Sequence, residues 1–284
     1  TYFVTVNDVD GCEAFSTVTI GQPEQLIMEL TSQDVVCFGE SNGSINIDTA
    51  YGGTPPYMFS LDNDIFQSDT ILAFLTSDTY TVYIQDANGC IDSSVIFVNQ
   101  PEELLVNAFP LDTIISLGES VDLNAIPNQD NTTIAWTPSD SLYLSCSDCP
   151  NPTASPVETT LYDIVVTDTI NGCQTTAQIV IRVDKDRNVF IPNAFSPNTD
   201  GYNDFVTVYG DQSVASINYF RVFDRWGELV YENSNFPPNA PLNHGWDGRF
   251  KGKRMNPGVF VYVTEVLFID GRTKVYKGDI TLVD

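Results

Sequence analysis

One phrase occurs twice in this 284-residue chain, and it constrains the fold more than any other feature of the sequence. Residues 1–23 return as residues 79–101, "TYTVYIQDANGCIDSSVIFVNQP", with equivalent residues 78 positions apart: Tyr2 and Tyr80, Asp8 and Asp86, Cys12 and Cys90, Pro23 and Pro101. A fixed internal period is the signature of tandem modules. We therefore expect residues 1–24 to be the C-terminal remnant of a repeat module that begins upstream.

The local pattern predicts β-structure along the whole chain. Short runs rich in Val, Ile, Thr, Tyr and Phe, such as "YTVYI", "SVIFV" and "VFVYVTEV", alternate with turn formers such as "GGTPP", "DANG" and "SPNTDG". We find neither the apolar periodicity of a helix nor an apolar run long enough to span a bilayer. The sequence therefore predicts an all-β fold of tandem Ig-like β-sandwich modules.

Charge divides the chain into two chemically different parts. All 12 Lys and Arg residues lie at or beyond Arg182, whereas 25 of the 38 acidic residues lie before it. Affinity for nucleic acid depends on Lys and Arg side chains that displace counterions, so the first part excludes nucleic acid as a partner. Two interpretations of the acidic part stay open, namely the solubility of a long surface array and the binding of divalent cations.

The first complete module is predicted over residues 25–101. Its distinguishing residues are Cys37, the step from Gly43 to Ser44, "GGTPPY", and "DANGC" ending at Cys90. On these residues the module resembles the short repeat of giant gliding-motility adhesins of Bacteroidetes, the SprB type. The resemblance covers nearly the whole module.

A second complete module is predicted over residues 102–184. "GESVDLNA", Trp136 within "TTIAWTPSDSL" and "NPTASPVETTLYDIVVTD" resemble a PKD-like, immunoglobulin-fold domain, in which a Trp in mid-sheet packs on the opposite sheet. Tyr162, Asp168 and Cys173 repeat the ending of the first module with one extra residue in the turn.

The last module is predicted over residues 188–284. "VFIPNAFSPNTDGYND", "FRVFDRWGELVYE", "GWDGRFKGK" and "NPGVFVYVTEV" follow in order and resemble the gliding-motility-associated C-terminal domain, the type B sorting domain of the type IX secretion system. One position departs from that family's pattern, because Thr199 stands where such domains usually carry Gly.

These resemblances imply an exported, non-enzymatic protein. We expect the C-terminal region of a large secreted or cell-surface adhesin-like protein, whose last domain is read by an outer-membrane barrel receptor or translocon component. The upstream modules would be structural or adhesive spacers, and the export leader would lie upstream, since no signal peptide is present. The partner-binding residues expected from the matched motifs are Pro197, Asp200, Trp226, Gly227, Trp246, Asp247, Gly248, Pro257, Gly258 and Val259.

The segment "RFKGKR" adds four cations to that set: Arg249, Lys251, Lys253 and Arg254. It is interpreted either as a solvated hairpin tip or as a contact for an acidic partner surface or lipopolysaccharide phosphates.

Six cysteines suit an oxidising compartment. A disulfide between Cys37 and Cys90 is expected to staple the first module, with a contribution of roughly 4 kcal/mol, and Cys12 would then have its partner upstream. For Cys146 and Cys149 in "CSDC", a local disulfide is preferred to a redox or zinc site. Cys173 is then either free or paired with one of those two.

The loop "SPNTDGYND" is a candidate calcium site through Asn198, Asp200 and Asp204 around Gly201. The alternative is a loop without metal that is stabilised by Asx turns. No other cofactor is predicted.

Catalysis is not expected. His244 is the only histidine, no phosphate-binding glycine loop is present, and no pair of carboxylates stands apart from the repeats. The alternative function is a calcium-dependent carbohydrate-binding surface protein, in which residues 25–184 bind possible surface glycans.

Overall fold

The computed structural model describes residues 1–138 and 143–284 and contains two compact units, Thr1–Leu104 and Leu105–Asp284. The predicted all-β fold is confirmed, since strands dominate and the one α-helix among the described residues is α1, the four-residue Pro241–His244. Over the same residues, no helix has the length and apolar character that crossing a membrane requires.

The first unit is a β-sandwich preceded by a separate hairpin. Its strands are β1 (Tyr2–Asn7), β2 (Glu13–Val18), β3 (Ile27–Gln33), β4 (Gly43–Tyr51), β5 (Met58–Ser60), β6 (Ile71–Leu75), β7 (Asp78–Gln85) and β8 (Ile91–Val98). β1 pairs with β2, while β3–β4–β6 and β5–β7–β8 form two three-stranded sheets. Buried Ile45 of β4 and Val82 of β7 belong to one core, which both sheets share.

The sequence repeat corresponds to a repeated hairpin. β1 and β2 pair Tyr2 with Val18, and β7 and β8 pair Tyr80 with Ile96, so the register is the same after a shift of 78 positions. The core-facing positions have different surroundings, however: Val82 is fully buried, whereas its equivalent Val4 is 47% exposed. The first hairpin therefore has the same sequence pattern and strand register as the β7–β8 pair of the sandwich. Among the described residues, however, no second sheet covers its apolar face.

The "GGTPPY" motif closes over the turn of the second hairpin. The Thr54 N–H donates to the Asp86 carboxylate at 2.9 Å, and the Tyr57 hydroxyl donates to the Gly52 carbonyl at 2.7 Å. Gly52 has φ +79°, and a Cβ there would lie 1.9 Å from the carbonyl oxygen of Gln25. Because no side chain fits that approach, glycine is required at this position.

The second unit begins with a sandwich module. Its strands are β9 (Val106–Phe109), β10 (Asp112–Ser116), β11 (Val121–Asp122), β12 (Asn124–Pro127), β13 (Thr132–Thr137), β14 (Thr153–Ala154), β15 (Thr160–Asp168) and β16 (Gln174–Asp184). They form a sheet in the order β10–β16–β15–β13 and the pairs β9–β12 and β11–β14. Trp136 is buried in this module, and its indole N–H donates to the Cys149 carbonyl at 2.8 Å. The last four residues of the "TTIAWTPSDSL" motif lie outside the described residues.

The terminal module is organised by one five-stranded sheet. Its strands are β17 (Val189–Phe190), β18 (Ala194–Phe195), β19 (Tyr209–Gly210), β20 (Val214–Phe223), β21 (Leu229–Phe236), β22 (Arg249–Phe250), β23 (Lys253–Arg254), β24 (Gly258–Phe268) and β25 (Thr273–Leu282). The sheet order is β18–β25–β24–β20–β21, with the separate pairs β17–β19 and β22–β23. Phe220, Val266 and Ile280 on its three long strands are fully buried in one core.

The two modules of the second unit meet at a close junction. Gly118 has φ +97°, and a Cβ there would lie 2.6 Å from the carbonyl oxygen of Gln212. In the connecting segment, Arg187 forms an ion pair with Asp270, whose side chain is 2% exposed, and the guanidinium lies 5.2 Å from the ring centre of Phe268. Arg187, which neutralises the buried charge of Asp270, thus lies just before the first strand of the terminal module, β17.

The cysteines differ from the prediction in one pair. Cys146 and Cys149 form the expected local disulfide with Cα atoms 5.9 Å apart, so Cys173 is not bonded to either. The predicted disulfide between Cys37 and Cys90 is wrong, because the thiol of Cys90 is free and exposed. The thiol of Cys12 is also free and exposed.

Strand geometry explains the error. The loop that carries Cys37 lies at the end of β8, where Gly39 N–H donates to the side chain of Gln100, whereas Cys90 lies at the start of β8. Eight extended residues span roughly 25 Å, and a disulfide requires Cα atoms within about 7 Å.

Replacement of Arg187 by Ala is expected to destabilise the terminal module by about 3 kcal/mol, because it removes the closer of the two cations paired with the buried Asp270 carboxylate and leaves only Arg272, at 3.9 Å. Urea unfolding followed by tryptophan fluorescence measures this. The matched control is Arg182→Ala, since Arg182 pairs with Asp112 at 3.1 Å but both side chains are 55% exposed. That control is expected to cost less than about 1 kcal/mol, and equal costs for the two variants would contradict the assignment.

Candidate partner-binding cleft

A cleft of about 750 Å³ lies on the terminal module between a turn and a hairpin. It is lined by residues 224–226 of the β20–β21 turn, by residues 250, 251 and 253–255 of the β22–β23 hairpin, and by residues 256–260 leading into β24. We call this the basic cleft. The turn is remote in sequence from the hairpin and the segment that follows it, and the fold brings them together.

The turn that presents Trp226 is held by an aspartate. The Asp224 carboxylate accepts the N–H groups of Trp226 and Glu228, each at 2.9 Å, and Gly227 supplies φ +84°. Trp226 lies at the tip and is 84% exposed, with the guanidinium of Arg225 5.7 Å from its ring centre. The turn therefore presents an indole to solvent.

This turn is the same as the turn of the repeated hairpins. The Asp8 carboxylate accepts the N–H groups of Asp10 and Cys12, and the Asp86 carboxylate accepts those of Asn88 and Cys90. The Asp-x-x-Gly spacing, which "DRWGE" shares with "DVDGC" and "DANGC", is the sequence signal of this common turn and was missed among the motifs above.

The "RFKGKR" segment forms a tight hairpin, as one of its two interpretations predicts. Phe250 pairs with Lys253, and the two residues between them, Lys251 and Gly252, have φ +50° and +79°. Positive φ at both positions is the requirement of a type I′ turn. The Lys251 ammonium lies 4.4 Å from the ring centre of Phe250 and 3.8 Å from a Glu228 carboxylate oxygen.

The cleft has a positive charge that its own residues do not neutralise. Within the described ranges, Arg225, Lys253 and Arg254 have no ion-pair partner, and all three are exposed. The one carboxylate in the lining belongs to Asp224, and it is engaged by the backbone of its turn. The arrangement suits a ligand that carries negative charge and an apolar face.

The cleft gathers part of the predicted partner-binding set. Its lining includes Trp226, Lys251, Lys253, Arg254, Pro257, Gly258 and Val259, while Gly227 shapes the adjoining turn. Asp247 and Arg249 lie outside the lining, at the base of the hairpin, where the Asp247 carboxylate accepts the Arg249 N–H at 3.0 Å.

Trp246 is a core residue and not a contact residue. It is fully buried, its ring centre lies 5.3 Å from that of Phe195 and 4.8 Å from that of Phe260, and its indole N–H donates to the Arg249 carbonyl. Gly248 has φ +74°, and a Cβ there would lie 3.1 Å from the ring of Pro197. Trp246, Gly248 and Pro197 therefore serve packing, and burial removes Trp246 from any contact surface.

The acidic loop uses its oxygens on its own backbone. The Asp204 carboxylate accepts the N–H groups of Thr199 and Gly201, at 2.6 and 2.9 Å, and Asn198 and Asp200 accept those of Asp200 and Tyr202. In the described part of the chain, no group of three or more His, Cys, Asp or Glu side chains is placed to hold a metal ion. This geometry favours the Asx-turn interpretation over a calcium site.

The departure from the family pattern at Thr199 has a structural consequence. Thr199 has φ +67°, a left-handed conformation that a β-branched residue rarely adopts. Glycine, which such domains usually carry there, has no steric cost in that conformation.

Two parts of the chain match family models. Residues 189–282 match the CHU_C type IX secretion signal domain, and residues 30–64 match the SprB repeat. These matches confirm the terminal sorting domain and the adhesin-type repeat expected from the sequence, and they indicate export to the cell surface or extracellular space. Both are non-enzymatic kinds of domain, and the first implies interaction with the type IX secretion system. No curated protein matches the chain.

Several solved structures resemble this chain over most of its length. Three domains of the outer capsid protein Hoc of bacteriophage RB49 share 14% identity (91% of this chain and 99% of that one, TM-score 0.33). The titin fragment I67–I69 shares 10% (93% and 100%, TM-score 0.36), and a tandem repeat of a large adhesion protein shares 14% (99% and 80%, TM-score 0.31). At these TM-scores the likenesses support no statement about function.

Thr199→Gly is expected to stabilise the terminal module by about 1 kcal/mol, because it removes the steric cost of a left-handed β-branched residue. Urea unfolding followed by tryptophan fluorescence measures the gain. Thr207→Gly is the control, since Thr207 is buried and its φ is not positive, and it is expected to destabilise. A loss of stability in Thr199→Gly would contradict the prediction.

Asp204→Ala is expected to lower the free energy of unfolding by about 2 kcal/mol, because the Thr199 and Gly201 N–H groups lose a charged acceptor. Millimolar calcium is expected to leave the melting temperature of the unmodified protein unchanged, as measured by calorimetry with and without chelator. A calcium-dependent rise that Asp200→Asn abolishes would restore the metal interpretation.

Proposed function

We propose that residues 188–284 are the export signal of a large cell-surface, adhesin-like protein, recognised as a folded domain by an outer-membrane barrel receptor of the type IX secretion system. The observation that carries the proposal is the match over residues 189–282, which spans all five strands of the terminal sheet from β18 to β25. Recognition of a folded domain requires exposed features on rigid supports, and the basic cleft supplies them.

Residues 25–101 and 102–184 act as spacers and adhesive modules in this proposal, and residues 1–24 as the end of a preceding module. The SprB match within the first of them and the repeated hairpin support an array of similar units. The absence of basic residues before Arg182 suits a surface array that stays soluble and does not bind nucleic acid. No finding supports the carbohydrate-binding alternative, and the proposed role is non-enzymatic.

In this proposal the buried residues of the terminal module hold its structure, and its exposed surface is recognised for export. The buried aromatic set around Trp246 and Phe260 fixes the sheet and the hairpin, and the fixed hairpin places Lys253 beside the exposed Trp226. The secretion machinery binds this outer surface, and the upstream modules follow through covalent connection.

A fluorescent reporter that carries a leader for the inner membrane and residues 185–284 at its C-terminus is expected to reach the medium or cell surface. The host has a functional type IX system, and a translocon-deficient strain is expected to retain the reporter. This segment includes Arg187, so the buried Asp270 keeps its partner. Residues 105–184, a sandwich module from the same unit, serve as the control fusion and are expected to be retained. Retention of both fusions in the competent host would overturn the proposed function.

A further inference from the structure

Trp226 is the one tryptophan of the chain that the fold leaves in solvent. Trp136 and Trp246 are 1% and 0% exposed, whereas Trp226 is 84% exposed on a turn held by two carboxylate hydrogen bonds. Its guanidinium neighbour Arg225 is also exposed. A large aromatic side chain has only two rotatable bonds, so on a fixed backbone it loses little conformational entropy on binding, which is the property of an interface anchor.

The charges beside Trp226 select the sign of the ligand. In a chain with formal net charge −26, Arg225, Lys253 and Arg254 border one cleft and have no acidic partner among the described side chains. Lys251 has a weak pair with Glu228, in which the two side chains are 76% and 58% exposed. Unneutralised cations around a concave surface attract carboxylates or phosphates.

The remaining lining favours a protein segment over a sugar. Asn256 is the one neutral polar side chain among the lining residues, and the Asp224 carboxylate is occupied by the backbone. The lining therefore offers donors but few acceptors, whereas a sugar hydroxyl needs both. Pro257 and Val259 add exposed apolar surface instead. Trp and Arg are the residues most enriched at energetic centres of protein interfaces. A second copy of this chain is disfavoured because two chains of charge −26 repel each other.

We propose that the basic cleft binds an acidic segment of a protein partner, with an apolar or aromatic side chain against Trp226 and carboxylates paired with Arg225, Lys253 and Arg254. The volume of about 750 Å³ lies within the range of pockets that bury a drug-sized ligand. That this partner belongs to the export machinery rests on the proposed function. That the cleft binds an acidic protein segment rests on the residues of the cleft alone.

Collisional quenching tests occupancy directly, because acrylamide reaches Trp226 and not the two buried tryptophans. The probe is the peptide acetyl-Glu-Asp-Phe-Asp-Glu-amide, added to the full chain. It is expected to protect the accessible tryptophan from acrylamide, with affinity that falls as salt is raised. The uncharged analogue acetyl-Gln-Asn-Phe-Asn-Gln-amide is expected to give no protection. Glucose 6-phosphate tests whether the ligand is a phosphorylated sugar. If it protects Trp226 from acrylamide and the acidic peptide does not, the proposal is overturned.

Charge reversal localises the binding. Lys253→Glu with Arg254→Glu is expected to weaken the acidic peptide at least about tenfold. Lys274→Glu with Lys277→Glu, the same charge change on exposed residues of β25, is expected to have little effect. All four positions are exposed, and circular dichroism verifies folding. Equal weakening by the two double variants would mean non-specific attraction and overturn the site.

The reporter fusion separates this proposal from the proposed function. If the unmodified 185–284 fusion is exported and both Lys253→Glu/Arg254→Glu and Trp226→Ala reduce export, the cleft is the contact with the machinery. If the unmodified fusion is retained, the export function fails, whereas peptide binding to the cleft is decided by the quenching result. If export is unaffected by both cleft variants, the link between the cleft and the machinery is overturned.

Discussion

An aspartate carboxylate that accepts two backbone N–H groups within a five-residue turn is the interaction on which much of this structure depends. Such bonds are charge-assisted, and they satisfy donors that a tight turn leaves without partners. The same arrangement occurs at Asp8, Asp86 and Asp224, each followed three residues later by a glycine with positive φ. Each turn fixes the register of the hairpin that it closes, and register decides which face of a strand is buried.

The turn has different consequences in different modules. At Asp86 the carboxylate also accepts the Thr54 N–H, and it is 4% exposed. The hydrogen bond from the Cys90 N–H, with those from Thr54 and Asn88, holds the pKa of this carboxyl below its usual value against the opposing effect of desolvation. At Asp224 no second segment of the described chain covers the turn tip, so Trp226 stays exposed. The same type of turn thus packs against a neighbouring segment in the adhesin-type repeat and exposes Trp226 to solvent in the terminal module.

Local signals in the sequence predicted the strands, the turns and two of the module types, because β-rich runs and turn residues act over a few neighbours and the family motifs are contiguous in sequence. The pairing of Cys37 with Cys90 failed because position at the two ends of a module does not give proximity across a sheet, where the length of β8 separates them. The basic cleft was predicted only as separate motifs, since two segments that are remote in sequence, residues 224–226 and 250–260, build it. Trp226 and Trp246 occupy similar motifs, and only the packing shows that one is exposed and the other is core.

The ion pair of Arg187 and Asp270 shows that the folded terminal module begins earlier in the chain than the region matched by the sequence family. The matched region begins at residue 189, but the buried Asp270 depends on a cation two residues earlier. Burial opposes ionisation of Asp270, and the hydrogen bonds from Arg187 and the Arg272 N–H, with the charges of Arg187 and Lys185, outweigh it and lower its pKa. The stability from this pair is therefore present above the unfolded pKa of about 3.9 and is lost as pH falls through the lower folded pKa. The folded module therefore begins in the connecting segment, at or before Arg187, and not at the first residue of the matched family.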